Sequence, residues 1–301
     1  MIQANEIAAA FGLPCLLSGD MQTALQLWED LYQNRANWQK ERVKPLRLPA
    51  MIARELKRLA LTEFVLDTKD TELQLPLQHT KQMLRQKLDY GIASGGLLLK
   101  PYYHNGLQID FVAQNQYLPV RYTNDACTAV ICPEELVLEK RCYTRLEFHQ
   151  FDERVHTHTI QQRCFRSPTP GTLGLECDLS EVPQWANLLP QKTYYDVSQP
   201  LFAMFQMPEA NNIDPTSPLG VSAYADAVDL IHDADVHWER ILWELESSER
   251  AIDASEDLFR FHPGTNQPIL PKGRERMYHC LEKTGTGNTI FNTFSPESRD
   301  T

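Results

Sequence analysis

Residues 205–249 read FQMPEANNIDPTSPLGVSAYADAVDLIHDADVHWERILWELESSE, a Pro- and Asn-rich approach that ends at a long, acidic, heptad-spaced helix. Pro208, Pro215 and Pro218 fix φ and remove backbone donors, while Asn211, Asn212 and Asp214 favour Asx-turns, so the approach is expected to be an ordered, non-repetitive arm. Gly220 frees the chain to turn. Ser222 is then the expected N-cap, and Asp226 lies in the first turn, where the positive end of the helix dipole favours a carboxylate. From there Tyr224, Ala227, Ile231, Ala234, Trp238, Ile241 and Leu245 recur in three- and four-residue steps and form one narrow apolar stripe. Asp226, Asp229, Asp233 and Glu244 lie on the other side with Arg240, and Asp235, Glu239, Glu246 and Glu249 flank the stripe. Two readings fit this pattern: a solvated amphipathic helix packed on its own domain, or a helix at an interface between subunits.

Working outward, the whole chain of 301 residues is 42% hydrophobic and 23% charged, ordinary for a globular protein large enough to bury a sizeable core. No apolar run is long enough to cross a bilayer, so no membrane partner is expected. The N-terminal MIQANEIAAAFGLPCLLSGD carries Glu6 where a secretory signal would be basic, and is expected to form a helix and loop. Seven cysteines are scattered without the paired spacing of a zinc site or the density of a disulfide scaffold, which fits a reducing compartment. The net charge of −11 argues against wrapping nucleic acid by phosphate neutralisation. Basic residues cluster at Arg42–Arg47, Arg54, Lys57 and Arg58, whereas acids dominate from Glu209 onward.

Helical periodicity predicts helices over 22–43 and 50–65, punctuated by Pro45 and Pro49, and a third over about 78–90 that ends where Gly91 permits a turn. A strand follows over 95–101. Alternation over 107–112, 146–149 and 155–160, separated by turn residues, predicts antiparallel strands and hairpins. Residues 187–204 connect these to the arm, and short strands and turns are expected beyond Ser255. The fold class is therefore α+β: N-terminal helices, an antiparallel strand-rich region, a long helix and a small final region.

Constellations that could carry chemistry are few. His156 and His158 alternate along an expected strand, so both could face one metal with His149 or Cys164 nearby; the other reading is an exposed strand face where His alternates with Thr. Cys127 and Cys132 lack a second pair and read as buried thiols. Gly91, Gly95, Gly96 and Lys100 lack the order of a phosphate-binding loop, and Gly285-Thr286-Gly287 reads as a turn. His232 and His237 point apart on the long helix. Trp28 and Tyr32 read as a core-facing pair, with base stacking the alternative that Trp38 leaves open. No nucleophile elbow or paired-histidine zinc motif occurs.

The segment NNIDPTSPLGVSAYADAVDLIHDAD (Asn211 to Asp235) resembles the loop leading into the first stem helix of tailed-bacteriophage portal proteins, particularly those of phages infecting Gram-positive bacteria. LWEDLYQNRANW (Leu27 to Trp38) and MIARELKRLALTEF (Met51 to Phe64) resemble that family's N-terminal helices. The strand-rich region matches over Asp89 to Asn124 and Thr144 to Ser167, and NTFSPESRD (Asn292 to Asp300) resembles the approach to the second stem helix. The resemblance is co-linear over almost the whole chain.

It implies a wing-like domain over 1–204, a loop and first stem helix over 205–254, a clip-like region over 255–291 and the start of a return segment over 292–301. Since the family continues into a second stem helix and a crown, the chain is expected to be truncated at Thr301. The resemblance further implies a structural, non-enzymatic subunit with no cofactor or metal. Its expected partners are itself in a ring, a dodecamer in that family; double-stranded DNA passing without sequence specificity; and terminase motor, head-tail adaptor, major capsid and scaffold proteins. Its expected place is the portal vertex of the virion, and the host cytoplasm during assembly. An anionic wall repels phosphate and lets a duplex slide, so Asp226, Asp229, Asp233 and Glu244 are expected to make the stem or lumen surface anionic. Tyr224, Ala227, Ile231, Trp238, Ile241 and Leu245 are the expected inter-subunit stripe. The alternatives are a metal-dependent α+β enzyme using His156 and His158, and an adaptor that docks without forming a ring.

Overall fold

Gly95, at φ 94, ends the longest helix, α4 (Thr71–Ser94), which Asp70 caps at the other end by accepting the Glu72 N–H at 2.9 Å. The computed structural model describes residues 2–39, 43–103, 106–122, 126–247, 251–255, 261–265, 278–281 and 291–294. The sequence placed the end of this helix at Gly91. That residue instead lies within α4, where a Cβ would meet the Leu97 side chain at 2.5 Å; its glycine serves close packing, and the left-handed turn comes four residues later.

Three shorter helices precede it. α1 (Ala4–Ala9) is the helix expected near the N-terminus, and α2 (Gly19–Tyr32) is capped by Ser18, whose Oγ accepts the Met21 N–H at 3.3 Å. α2 ends well before the expected residue 43, because Asn34 turns the chain at φ 56. α3 (Leu48–Ala60) starts after Arg47 at φ 62 and also stops short of its expected end.

The chain divides into two compact units, Met1–Glu41 with Arg47–Ile231 and Arg42–Leu46 with His232–Thr301. In the first, β1 (Gly96–Tyr103) lies between β2 (Leu107–Ala113) and β9 (Ala203–Gln206), antiparallel to both, so Leu99 stands opposite Phe111 and Ala203. A larger antiparallel sheet runs β3 (Leu118–Tyr122), β4 (Cys127–Leu138), β5 (Arg141–Asp152), β6 (Thr157–Ser167), β7 (Leu175–Cys177), and β8 (Gln191–Tyr194) also pairs with β6. Glu139 and Lys140, both at positive φ, make the two-residue turn between β4 and β5, whose twist suits a hairpin. The main core packs α2 and α4 on β1 and β2 through Trp28, Leu31, Ile92, Leu97 and Phe111. A second packs α1 on the large sheet through Ile7, Ile131, Leu146 and Phe148, and a third gathers Tyr143, Cys164, Leu179, Val182 and Trp185.

The last helix, α5 (Val228–Ser247), begins in the first unit. In the second unit β10 (Ala251–Ser255) lies between β11 (Tyr278–Leu281), parallel to it, and β12 (Phe291–Phe294), antiparallel to it. The turn expected at Gly285-Thr286-Gly287 lies outside the described residues, as does most of the segment approaching Asp300. The architecture is α+β, with helices, then strands, then a C-terminal helix. No helix among the described residues is long and apolar enough to cross a membrane.

Candidate functional site

The arm at 207–220 is ordered by its own side chains, as its composition predicts. Asn211 Oδ1 accepts the N–H groups of Ile213 and Asp214 at 3.0 and 2.9 Å, and its amide donates to Leu219 O at 2.9 Å. Asp214 Oδ1 accepts from the Thr216 N–H at 3.1 Å and its hydroxyl at 2.7 Å. These are the Asx-turns that Asn and Asp favour where regular pairing stops.

Two glycines seat the arm. A Cβ on Gly95 would fall 2.5 Å from Gly220 O, and one on Gly220 would run into Gly95 O. The buried Gln114 fixes this junction: its amide donates to Ser94 O at 2.7 Å and Gly220 O at 2.8 Å, and its Oε1 accepts the Gly220 N–H at 3.0 Å. Gly95 O and Ile92 O accept the N–H groups of Met207 and Ala223 at 2.9 and 3.1 Å. The glycines weighed as a phosphate cradle therefore meet the protein itself: Gly91 the Leu97 side chain, Gly95 the Gly220 backbone, and Gly96 the Gln114 side chain and Phe205 O.

Beyond this junction Ser222 is buried and accepts the Tyr224 N–H at 3.3 Å. It precedes a 3-10 turn over Ala225–Ala227 whose N-cap position is Tyr224, without a side-chain cap, and the α-helix proper starts at Val228, so Ser222 is not the N-cap the sequence suggests. The structure divides the apolar stripe. Tyr224 and Ile231 are buried in the chain's own core, Ala227 packs against it, and the Tyr224 hydroxyl donates to Trp28 O at 2.8 Å. Trp238, Ile241 and Leu245 stay exposed, at 37, 48 and 60%. Asp226, Asp229, Asp233 and Glu244 are all exposed, Asp226 accepting from Asn212 at 3.0 Å. A rotation of about 100° per residue gathers Asp229, Asp233 and Glu244, with the exposed Arg240 among them, in one arc of about 60°, beside a similar arc that holds Trp238, Ile241 and Leu245.

Sequence reasoning missed the strongest electrostatic feature, a buried cluster around Glu147. Strand alternation puts Arg145, Glu147 and His149 on one face of β5. Lys100 of β1 donates to Glu147 Oε1 at 2.7 Å, Arg145 to Oε2 at 2.8 Å, and His149 Nε2 lies 2.7 Å from Oε1. Arg145 also holds Glu134 at 3.0 Å and Gln162 at 2.7 Å. Burial opposes ionisation of Glu147, but His149, Lys100 and Arg145 outweigh it and hold the carboxyl far below the usual range. Burial alone would lower Lys100, yet Glu147 raises it. Nearby, burial pushes the Cys132 thiol up to about 12.

Hydrogen-bond logic fixes the tautomers of the two histidines that continue this cluster. The Leu201 N–H donates to His158 Nδ1 at 3.3 Å, so the ring proton of neutral His158 is on Nε2, which lies 3.1 Å from His149 Nδ1. His149 then carries its proton on Nε2 and donates to Glu147. His158 is fully buried, and burial together with His149 lowers its pKa to about 4. His156, by contrast, sits at φ 49 in the turn before β6. The expected alternating pair is thus split: His158 is interior, not part of an exposed face, and His156 does not share its strand. No group of three or more metal-ligating side chains is assembled among the described residues.

A cleft of about 900 Å³ lies beside the arm, lined by Tyr122, Cys127, Phe202, Met204, Met207 and Pro218 among others. Its walls mix the thioether, aromatic and proline surface of these residues with the polar groups of Gln206, Glu209, Asn211, Thr216 and Ser217. Trp28 is buried and Tyr32 half-buried, with the Tyr32 hydroxyl 3.2 Å from Asp89, so this pair packs inward as read from its spacing.

No protein-family model and no curated protein matches this sequence.

Proposed function

We propose that this chain is a portal, or head-tail connector, subunit of a tailed phage: a structural component of a ring at one capsid vertex, through which double-stranded DNA is packaged and ejected. The reading rests on the co-linear resemblance described above. The observation that carries it furthest is the two-faced exposed side of α5. A ring needs a heterologous contact repeated until it closes, and the row of Trp238, Ile241 and Leu245 offers apolar surface for such a contact. The adjoining row of Asp229, Asp233 and Glu244, extended by Asp226, suits a surface past which phosphate must slide, not bind. The neighbours of such a ring would be a terminase motor that supplies the energy, a head-tail adaptor, and capsid and scaffold proteins.

Native mass spectrometry with negative-stain imaging tests this reading, on a protein that carries the second stem helix and crown the resemblance implies. Closed rings with a central channel are the expected result. A monodisperse monomer at every concentration would overturn it and favour an adaptor that docks without forming a ring.

A further inference from the structure

Cysteines that look unrelated in the sequence meet across the edge of the large sheet. Cys164 of β6 and Cys177 of β7 are directly opposed in the antiparallel register, and their sulfurs lie 3.3 Å apart. Directly opposed residues on adjacent strands have the Cα separation that a disulfide spans. Among the described cysteines this is the one sulfur–sulfur contact; Cys15 and Cys127 donate to backbone carbonyls instead. β7 is held by three residue pairs, an exposed Arg163–Glu176 ion pair at 3.8 Å and the packing of Cys177 on the third core, and it presents an exposed Leu175, so a covalent link would fasten a lightly held edge strand.

We propose that Cys164 and Cys177 are a redox pair that closes to a disulfide when the protein meets a small disulfide oxidant, stapling β7 and the 168–174 loop to β6. The order of events follows from access. Cys177 is partly exposed whereas Cys164 is 1% exposed. Burial raises both thiols, Cys164 to about 12, so the reaction is slow and begins at Cys177. Its thiolate attacks one sulfur of the oxidant, the oxidant's S–S bond breaks, and one small thiolate leaves. Cys164 then loses its proton and attacks Cys177 Sγ, and the second small thiolate leaves. Two protein thiols are oxidised and one external disulfide is reduced to two thiols. The inference does not depend on the portal reading.

Oxidised glutathione added to the purified protein, followed by peptide mapping without reduction, is the test. The expected product is one peptide pair joined through Cys164 and Cys177 and two hydrogens lighter, with loss of two titratable thiols. Its urea midpoint should rise and fall back on adding dithiothreitol, since closing this loop constrains the unfolded chain. Cys164→Ser should arrest the reaction with glutathione held on Cys177. A wild-type protein that keeps all its thiols, stops at a glutathione adduct or joins other cysteines would overturn the assignment.

Discussion

Leu46 donates its backbone N–H to Oδ1 of Asp235 at 2.8 Å, and Asp235 is 1% exposed. One helical turn on, Glu239 Oε2 accepts the Lys44 N–H at 3.3 Å. Acids spaced by four on a helix thus meet donors spaced by two on an extended segment, with Pro45, which has no N–H, between them. Two acids of the anionic helix hold chain, Asp235 buried and Glu239 half-exposed. Replacing Asp235 by Ala orphans a donor and should cost about 1–3 kcal/mol in urea denaturation, whereas Asn keeps an acceptor and should cost less. Equal midpoints for both variants and wild type would remove this contact from the stability of the helix.

Glu147→Ala takes from Lys100 and Arg145 the buried carboxylate they share, leaving Lys100 with Asp110 at 3.7 Å and Arg145 with Glu134. The expected loss is about 3–5 kcal/mol, partly recovered in a double variant with Lys100→Met. A loss below that of an ordinary surface substitution would mean the cluster is wetter than its burial indicates.

Acid should destabilise the protein in two separable steps. His158 titrates lower in the folded chain than in the unfolded one, about 4 against 6.5, so the unfolded chain binds the proton first. Its contribution is complete above pH 6.5 and is lost as pH falls towards 4, at up to about 1.4 kcal/mol per pH unit. The depressed carboxyl of Glu147 acts below its ordinary value of 4.5; its contribution is present above that and lost on further acidification. His158→Asn should flatten the upper limb of a melting-temperature profile and leave the lower one. Nitrogen NMR near neutral pH should find both His149 and His158 protonated on Nε2.

Gly220→Ala introduces a methyl group into Gly95 O. Overpacking of this kind costs about 1–3 kcal/mol. Faster proteolytic cleavage within 207–220 should accompany the lost stability; an unchanged cleavage rate would show that the arm is seated by other contacts.

On the portal reading, the two exposed rows of α5 separate genetically. Ile241→Asp and Leu245→Asp should abolish ring formation while changing monomer stability by no more than about 0.5 kcal/mol, as exposed positions allow. Lys at Asp229, Asp233 and Glu244 should leave rings intact and slow DNA passage. Unchanged packaging in that variant would sink the assignment of these acids to the channel side.

Local rules were legible where one residue decides. Asn211 and Asp214 form the Asx-turns their chemistry favours, and alternation located β2, β5 and β6. What the sequence hid depends on contacts far along the chain. Gly91 and Gly95 look alike in one dimension, yet Leu97 demands the first and a left-handed turn the second. The apolar stripe reads as continuous from Tyr224 to Leu245, because periodicity records which residues share a face and not where the domain that covers them ends. Lys100, Arg145, Glu147 and His149 are ordinary strand residues until β1 and β5 bring them together, and Cys164 finds Cys177 only through the register of β6 and β7.

The Gln114 junction also sets an order of events during folding. Its bonds to Gly220 close a loop of 106 residues, and closure entropy grows with the intervening length. The arm can seat only after α4 has ended at Gly95 and the chain beyond β2 has delivered Gln114, so the helix that follows is aimed late. Contacts made after the rate-limiting step govern escape from the native state more than arrival. On the hypothesis that this junction seats last, Gln114→Ala should quicken unfolding and leave the speed of folding nearly unchanged; stopped-flow folding slowed as much as unfolding is quickened would overturn it.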